Sequence, residues 1–179
     1  MIKIEPLKEP KFIKPVAIRY ERDGKELRWE AVEAHDSVAV LLYNPSKEAF
    51  VLVKQFRPAL YMQQGLKYSY ELCAGIVDKD KSLQQIAIEE VAEETGYKVE
   101  SIQKITSYYT SVGFAGSRQT LFYAEVRERI GEGGGIEEES IEVIHLPIKE
   151  AREFMMDESK PKTPGLLFAF CWWFERFSS

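Results

Sequence analysis

Residues 82–95 read as a helix whose buried face carries acid. At 100° per residue, Leu83, Ile86, Ala87 and Val91 share one side, and Glu90, Glu94 and, at its edge, Glu93 fall on that same side. An ionised carboxylate buried without a partner costs on the order of several kcal/mol, and three together also repel one another. Any fold that buries this stripe must therefore bring a cation to it. A Glu-rich turn is more often a solvated face. Here, however, the acids extend the apolar stripe instead of opposing it, and Gly96 follows directly as a helix stop. Oxygen ligands at i, i+3 and i+4 suit Mg²⁺, with Mn²⁺ as the alternative, better than zinc. Two histidines, His35 and His145, are too few for a nitrogen-rich site and read as structural or surface residues.

The same run resembles the Nudix box: glycine, five residues, Glu, seven residues, Arg-Glu, an aliphatic residue, any residue, Glu-Glu, any residue, Gly, then an aliphatic or aromatic residue. Gly75, Glu90, Val91, Glu93, Glu94, Gly96 and Tyr97 match at that spacing. Two positions depart, with Lys81 at the first Glu and Glu89 at the Arg. Because the departures exchange charge sign, Lys81 and Glu89 are expected to keep an ion pair of reversed polarity between loop and helix.

Composition narrows the remainder. At 179 residues and 45% hydrophobic, the chain is long enough for one well-buried domain with an appendage and short for two equal ones. A formal charge of −5 provides no basic field for nucleic acid, so an anionic substrate needs local arginines or a metal. Cys73 and Cys171 sit among apolar residues without CxxC spacing and read as buried thiols in a reducing compartment. The start of the chain lacks the apolar stretch of a signal peptide, and the apolar run from Leu166 to Phe174 is cut short by Glu175 and Arg176. The expectation is a cytoplasmic protein without a membrane partner.

Along the chain, Asp23-Gly24 between Ala17–Tyr20 and Glu26–Val32 predicts a hairpin, which alone is marginal and must pack on its own domain or on a second subunit. Strands are expected at Ser37–Tyr43, Ala49–Phe56, Tyr68–Cys73, Ile102–Tyr109, Gln119–Val126 and Glu142–Leu146. Helices are expected at Ser82–Thr95, opened by a Ser82/Gln85 capping box, at Ile148–Met156 and at Gly165–Phe177. Trp172 and Trp173 are expected to pack the last helix on the sheet. Arg57-Pro58 reads as a strand break, and Gly133-Gly134-Gly135 as a flexible loop. The order gives an α+β fold, a mixed sheet in an α/β/α sandwich.

The resemblance extends from about Arg19 to the C-terminus and points to the ADP-ribose and UDP-sugar pyrophosphatase branch. It rests there on Val53–Pro58, Glu71–Gly75 and Gly116–Tyr123. It implies a Nudix domain at 37–179 and an N-terminal hairpin region at 1–36 that serves dimerisation and base contact in a homodimer.

Splitting a diphosphate requires charge on the phosphoryl oxygens to be offset and a water placed in line. Clustered acids holding Mg²⁺ address both, and a further carboxylate is needed as base. Glu137, Glu138 and Glu139 are candidates from the residues alone, with a solvated loop as the plain alternative. The resemblance implies Glu137 and Glu139 as catalytic, Glu139 also as a metal ligand, and Glu90, Glu93, Glu94 and the Ala74 carbonyl as the other ligands. Arg57 and Arg118 are either phosphate or sugar contacts or surface ion-pair members. Trp29 either stacks on the base or packs, and Gly113, Gly116 and Ser117 either approach substrate or form a plain turn. Glu71 joins the substrate-binding set, with Gly116, by the resemblance. The activity so implied is Mg²⁺-dependent hydrolysis of a nucleoside diphosphate sugar, UDP-glucose-like or ADP-ribose, to a nucleoside monophosphate and a sugar phosphate. GDP-mannose hydrolysis and a non-catalytic nucleotide-sugar sensor are the other readings.

Overall fold

The computed structural model describes residues 3–5, 7–10, 13–78, 80–136 and 140–177. Asp23 and Gly24 both take positive φ, 54° and 72°, the conformation a two-residue hairpin turn demands. They join β1 (Lys14–Arg22) to β2 (Lys25–Glu33) in register Ile18↔Trp29 and Tyr20↔Leu27. This ribbon is a sheet of its own. It is tied to the body where Val32 N–H donates to the Phe114 carbonyl at 2.8 Å and Trp29 Nε1 donates to the Gly113 carbonyl at 2.7 Å.

The body is a mixed sheet built around β3 (Ser37–Asn44), β4 (Ala49–Phe56) and β8 (Arg118–Arg129), the last parallel to β3. Strands β3 and β4 pair only near their connecting turn, at Leu42↔Val51 through Asn44↔Ala49, and then diverge. The segment after them fills the gap. β5 (Tyr68–Glu71) pairs with β4, β6 (Cys73–Ile76) pairs with β3, and Leu72 lies at the crossover between them. The outer positions go to β7 (Tyr97–Tyr109) beside β8 and to β9 (Ile141–Pro147) beside β4.

Alternation along β3 sorts the two cores. Val38, Val40 and Leu42 face α2 (Leu83–Thr95) through Ile86, Ala87 and Val91. Ala39 and Leu41 join the opposite layer, where α3 (Ile148–Met156) contributes Ala151 and α4 (Pro164–Phe177) contributes Leu166, Ala169, Phe170, Trp173 and Phe174. Trp173 packs edge-on against Phe50 and Trp172 packs at a tilt against Tyr123, so both tryptophans meet the sheet as expected. The fold is an α/β/α sandwich of the α+β class.

Two expectations need correction, and one helix goes beyond them. A short helix, α1 (Pro58–Gln64), follows the strand break, because Pro58 occupies the first turn where its missing N–H costs nothing. Cys171 is exposed on α4, whereas Cys73 is buried. The triple glycine is hydrogen-bonded to the body, as described below.

Candidate active site

Helix α2 begins and ends as its sequence requires. Ser82 Oγ accepts from Gln85 N–H at 3.2 Å and Gln85 Oε1 accepts from Ser82 N–H at 3.0 Å, which closes the capping box. Gly96 stops the helix in the left-handed region, and a Cβ there would also overlap the Gly131 backbone. Between these ends Glu94 is 4% exposed, as deep as the apolar residues around it. Its Oε2 accepts from the Ala74 N–H at 3.1 Å. Glu90 lies against β6 so closely that a Cβ at Gly75 would overlap its carboxylate. The acid and the glycine are thus a matched pair: one needs the space the other leaves.

Glu90, Glu93 and Glu94 line one cavity of about 470 Å³ together with Arg57, Glu71, Ala74, Asp78 and Gln119. The cavity lies where β3 and β4 splay, so residues from β5, β6 and α2 converge on it. Arg57 lies between β4 and α1 and forks onto Glu71, Nε to Oε1 and Nη2 to Oε2, both at 2.7 Å, while Ser69 Oγ also donates to Glu71. Burial pushes the Glu71 carboxyl up, but the Arg57 hydrogen bonds and charge, with Ser69, outweigh it and leave the group below its ordinary value. Behind the acids, burial pushes the Cys73 thiol well above its ordinary value, and the field of Glu94, Glu90 and Glu93 adds to it. That thiol is a packing group.

Lys81 Nζ meets both oxygens of Glu89, at 2.6 and 2.8 Å. The expected ion pair of reversed polarity is present.

The Gly133–Gly135 segment is a clasp on the end of α2. Gly134 N–H donates to the Glu94 carbonyl at 2.8 Å and Gly135 N–H to the Glu93 carbonyl at 3.2 Å, and Ile136 lines the cavity. All three glycines have positive φ, and a Cβ on Gly133 would overlap backbone atoms of Glu94 and Thr95. Helix carbonyls left open at a C-terminus need donors, and the glycine amides supply them. The catalytic and ligand candidates Glu137 and Glu139, with Glu138, lie outside the described residues.

Of the remaining candidates, Arg57, Glu71, Ala74, Glu90, Glu93 and Glu94 share the cavity. Trp29, Gly116 and Arg118 do not line it. Trp29 is bound to the Gly113 carbonyl, Gly116 has open space beside it, and Arg118 pairs with Asp36 at 3.5 Å. Gln119 and Ser37 were not foreseen. Their signal was slight: one polar residue at the head of each apolar strand.

The donor set suits a hard divalent cation, being all oxygen, with Gly75 leaving room at Glu90. Among the described residues no three His, Cys, Asp or Glu side chains cluster tightly enough to chelate an ion by themselves.

The sequence profile of the NUDIX domain matches residues 33–165, most of the chain and all of this cavity. The chain belongs to the NUDIX family. Among relatives, it is 39% identical to a uridine diphosphate glucose pyrophosphatase of Bos taurus over 91% of this chain and 88% of that one. A protein of that name from Mus musculus is 38% identical over 92% and 89%. A GDP-mannose pyrophosphatase of Cronobacter sakazakii is 39% identical over 74% and 71%. The protein is accordingly a Nudix hydrolase, an enzyme of a family that uses divalent metal. Its Nudix helix is α2, and the splay of β3 and β4 exposes the acidic end of that helix. Among the described residues no helix is long and apolar enough to cross a membrane.

Proposed function

We propose that this Nudix hydrolase cleaves the pyrophosphate bond of a nucleoside diphosphate sugar, giving a nucleoside monophosphate and a sugar phosphate, with Mg²⁺ as its metal. The carrying observation is the single cavity in which Glu90, Glu93 and Glu94 stand with the Arg57 fork. A diphosphate needs both cationic contacts and acid-held metal, and this space brings candidates for the two together. UDP-glucose is the first substrate to try, since the relative named for it aligns over more of this chain than the one named for GDP-mannose. ADP-ribose and GDP-mannose follow.

Each residue has a task. Glu90, Glu94 and the Ala74 carbonyl would hold the metal, with Glu93 and Glu139 assisting. A bound Mg²⁺ supplies charge to offset the phosphoryl oxygens and acidifies a water. Arg57, held by Glu71, orients a phosphate oxygen. A glutamate of the acidic loop, Glu137 or Glu139, removes the proton of the attacking water. Beyond the cavity wall, Gly116 and Arg118 contact the substrate, and Trp29 stacks on the base. The hairpin region, 1–36, pairs two chains into a homodimer, and 37–179 forms the hydrolase domain. The enzyme works in the cytoplasm.

The test is a panel of UDP-glucose, ADP-ribose and GDP-mannose followed by ³¹P NMR, with Mg²⁺ and again with chelator. Monophosphate products that vanish with chelator are expected. Binding of these compounds without turnover in Mg²⁺ points instead to a sensor.

A further inference from the structure

A second cavity, of about 350 Å³, adjoins that of the acids and shares Glu71, Ala74 and Gln119 as a common wall. It continues to Tyr108, Thr110 and the start of α4 at Thr163–Gly165. The two compartments differ in charge. Arg57, Asp78 and the α2 acids line the first, whereas Glu71 is the one charged residue among the described walls of the second. The Glu71 carboxylate is already engaged by Arg57 and Ser69. What the second compartment offers is hydroxyls, one amide and the apolar side chains of Ala39 and Leu72. Such a lining suits a neutral polyhydroxylated ring and, among the described walls, gives a phosphate no cation to pair with.

The amide at the junction is fixed. Tyr108 donates its hydroxyl to Gln119 Oε1 at 2.5 Å, and Gln119 Nε2 donates to Ser37 Oγ at 3.0 Å. A glutamine amide has two donors and two acceptor positions, so one of each remains for a ligand. Burial pushes the Tyr108 phenol up to about 12, so it stays a donor at neutral pH. The first turn of α4 reaches this pair because residue 165 is glycine; a Cβ there would overlap the Tyr108 hydroxyl.

We propose that the second compartment binds the glycosyl ring of a nucleoside diphosphate sugar, with Gln119 as the specificity-determining residue and Tyr108 as the positioning residue that sets its amide. The assignment rests on the hydrolase reading above. A sugar 1-phosphate then spans the junction, its phosphate beside Arg57 and the acids and its ring beyond Gln119.

Isothermal titration of the full chain in Mg²⁺ with glucose 1-phosphate and, separately, with UMP tests the assignment on wild type, Tyr108→Phe and Gln119→Met. The Kd for glucose 1-phosphate is expected to rise about tenfold in both variants, the loss of one or two hydrogen bonds, while that for UMP changes less than about twofold. Should Gln119→Met fail to fold, Thr163→Val removes one hydroxyl at the far wall at constant size and is expected to raise the glucose 1-phosphate Kd several-fold. A loss confined to UMP assigns the compartment to the nucleoside and overturns the proposal, as does equal loss for both probes or none. If wild type cleaves UDP-glucose yet the variants bind glucose 1-phosphate normally, the subsite falls and the hydrolase stands. If no nucleotide sugar is cleaved but Tyr108-dependent binding persists, the reverse holds.

Discussion

Glu94 shows how a candidate functional residue is written into a helix. Its position on the apolar stripe could be counted from the sequence, and its burial and its bond to the Ala74 amide follow from the way β6 lies across α2. Glu90→Gln and Glu94→Gln keep the shape of each side chain and remove its charge, so each is expected to lower kcat by at least about a hundredfold with the fold intact. Wild-type turnover, with circular dichroism unchanged, would remove the acids from the chemistry. Glu71 makes a separate prediction through pH. Its carboxyl lies below its ordinary value of 4.5, so the stability it contributes is present above that value and is lost as pH falls through the lower folded-state value. Thermal melts should therefore show Glu71→Gln less stable than wild type by about 1–2 kcal/mol at pH 7, since Arg57 is about half-exposed. The gap should narrow as pH falls below 4.5. A gap that stays constant with pH would place the effect in packing and not in charge.

At the scale of elements, the caps of α2 were legible and the clasp on its end was not. Ser82, Gln85 and Gly96 act locally, over three or four residues, so their pattern survives in a linear reading. Gly133–Gly135 read as a flexible loop, because the carbonyls they bind belong to Glu93 and Glu94, far away in sequence. Helix α1 was missed for a related reason. It has no buried residue, hence no apolar stripe, and its proline resembles a break until the chain is seen to turn into a helix behind it. Gly133 and Gly24 have nearly the same φ, +70° and +72°, but only Gly133 is pressed against backbone. Gly24→Ala should cost about 1 kcal/mol, the penalty of the left-handed region alone. Gly133→Ala should cost several times more and lower kcat, because the loop that bears the acidic triplet loses its anchor. Equal shifts in Tm for the two variants would show that the clasp holds nothing.

For the molecule as a whole, the N-terminal ribbon is the part least explained by its own chain. Register places Val16, Ile18 and Tyr20 with Leu27, Trp29 and Ala31 on one face, while Arg19–Glu26 and Arg28–Glu30 pair on the other. Ile18 and Trp29 remain 45% and 53% exposed. An apolar face of this kind is expected to be covered by a second copy. Analytical ultracentrifugation at micromolar concentration should find a dimer, and Ile18→Glu combined with Tyr20→Glu should find a monomer. A monomeric wild type would remove the homodimer.

By itself the sequence determined the local and periodic features: strand alternation, the span and caps of α2, the hairpin turn, and one helix side on which Glu94 is buried with Glu90 and Glu93 half-buried beside it. It also carried the Lys81–Glu89 pair, since two changes of opposite sign at contacting positions preserve attraction whichever residue bears which charge. The tertiary structure alone decided which distant residues share a cavity. The divergence of β3 and β4 is a property of the twisted sheet, and no linear pattern encodes that Arg57, Gln119 and the acids of α2 meet there. Local structure is set by neighbours a few residues apart, which a sequence shows directly. A site is set by the packing of elements far apart in the chain, which only the folded molecule reveals.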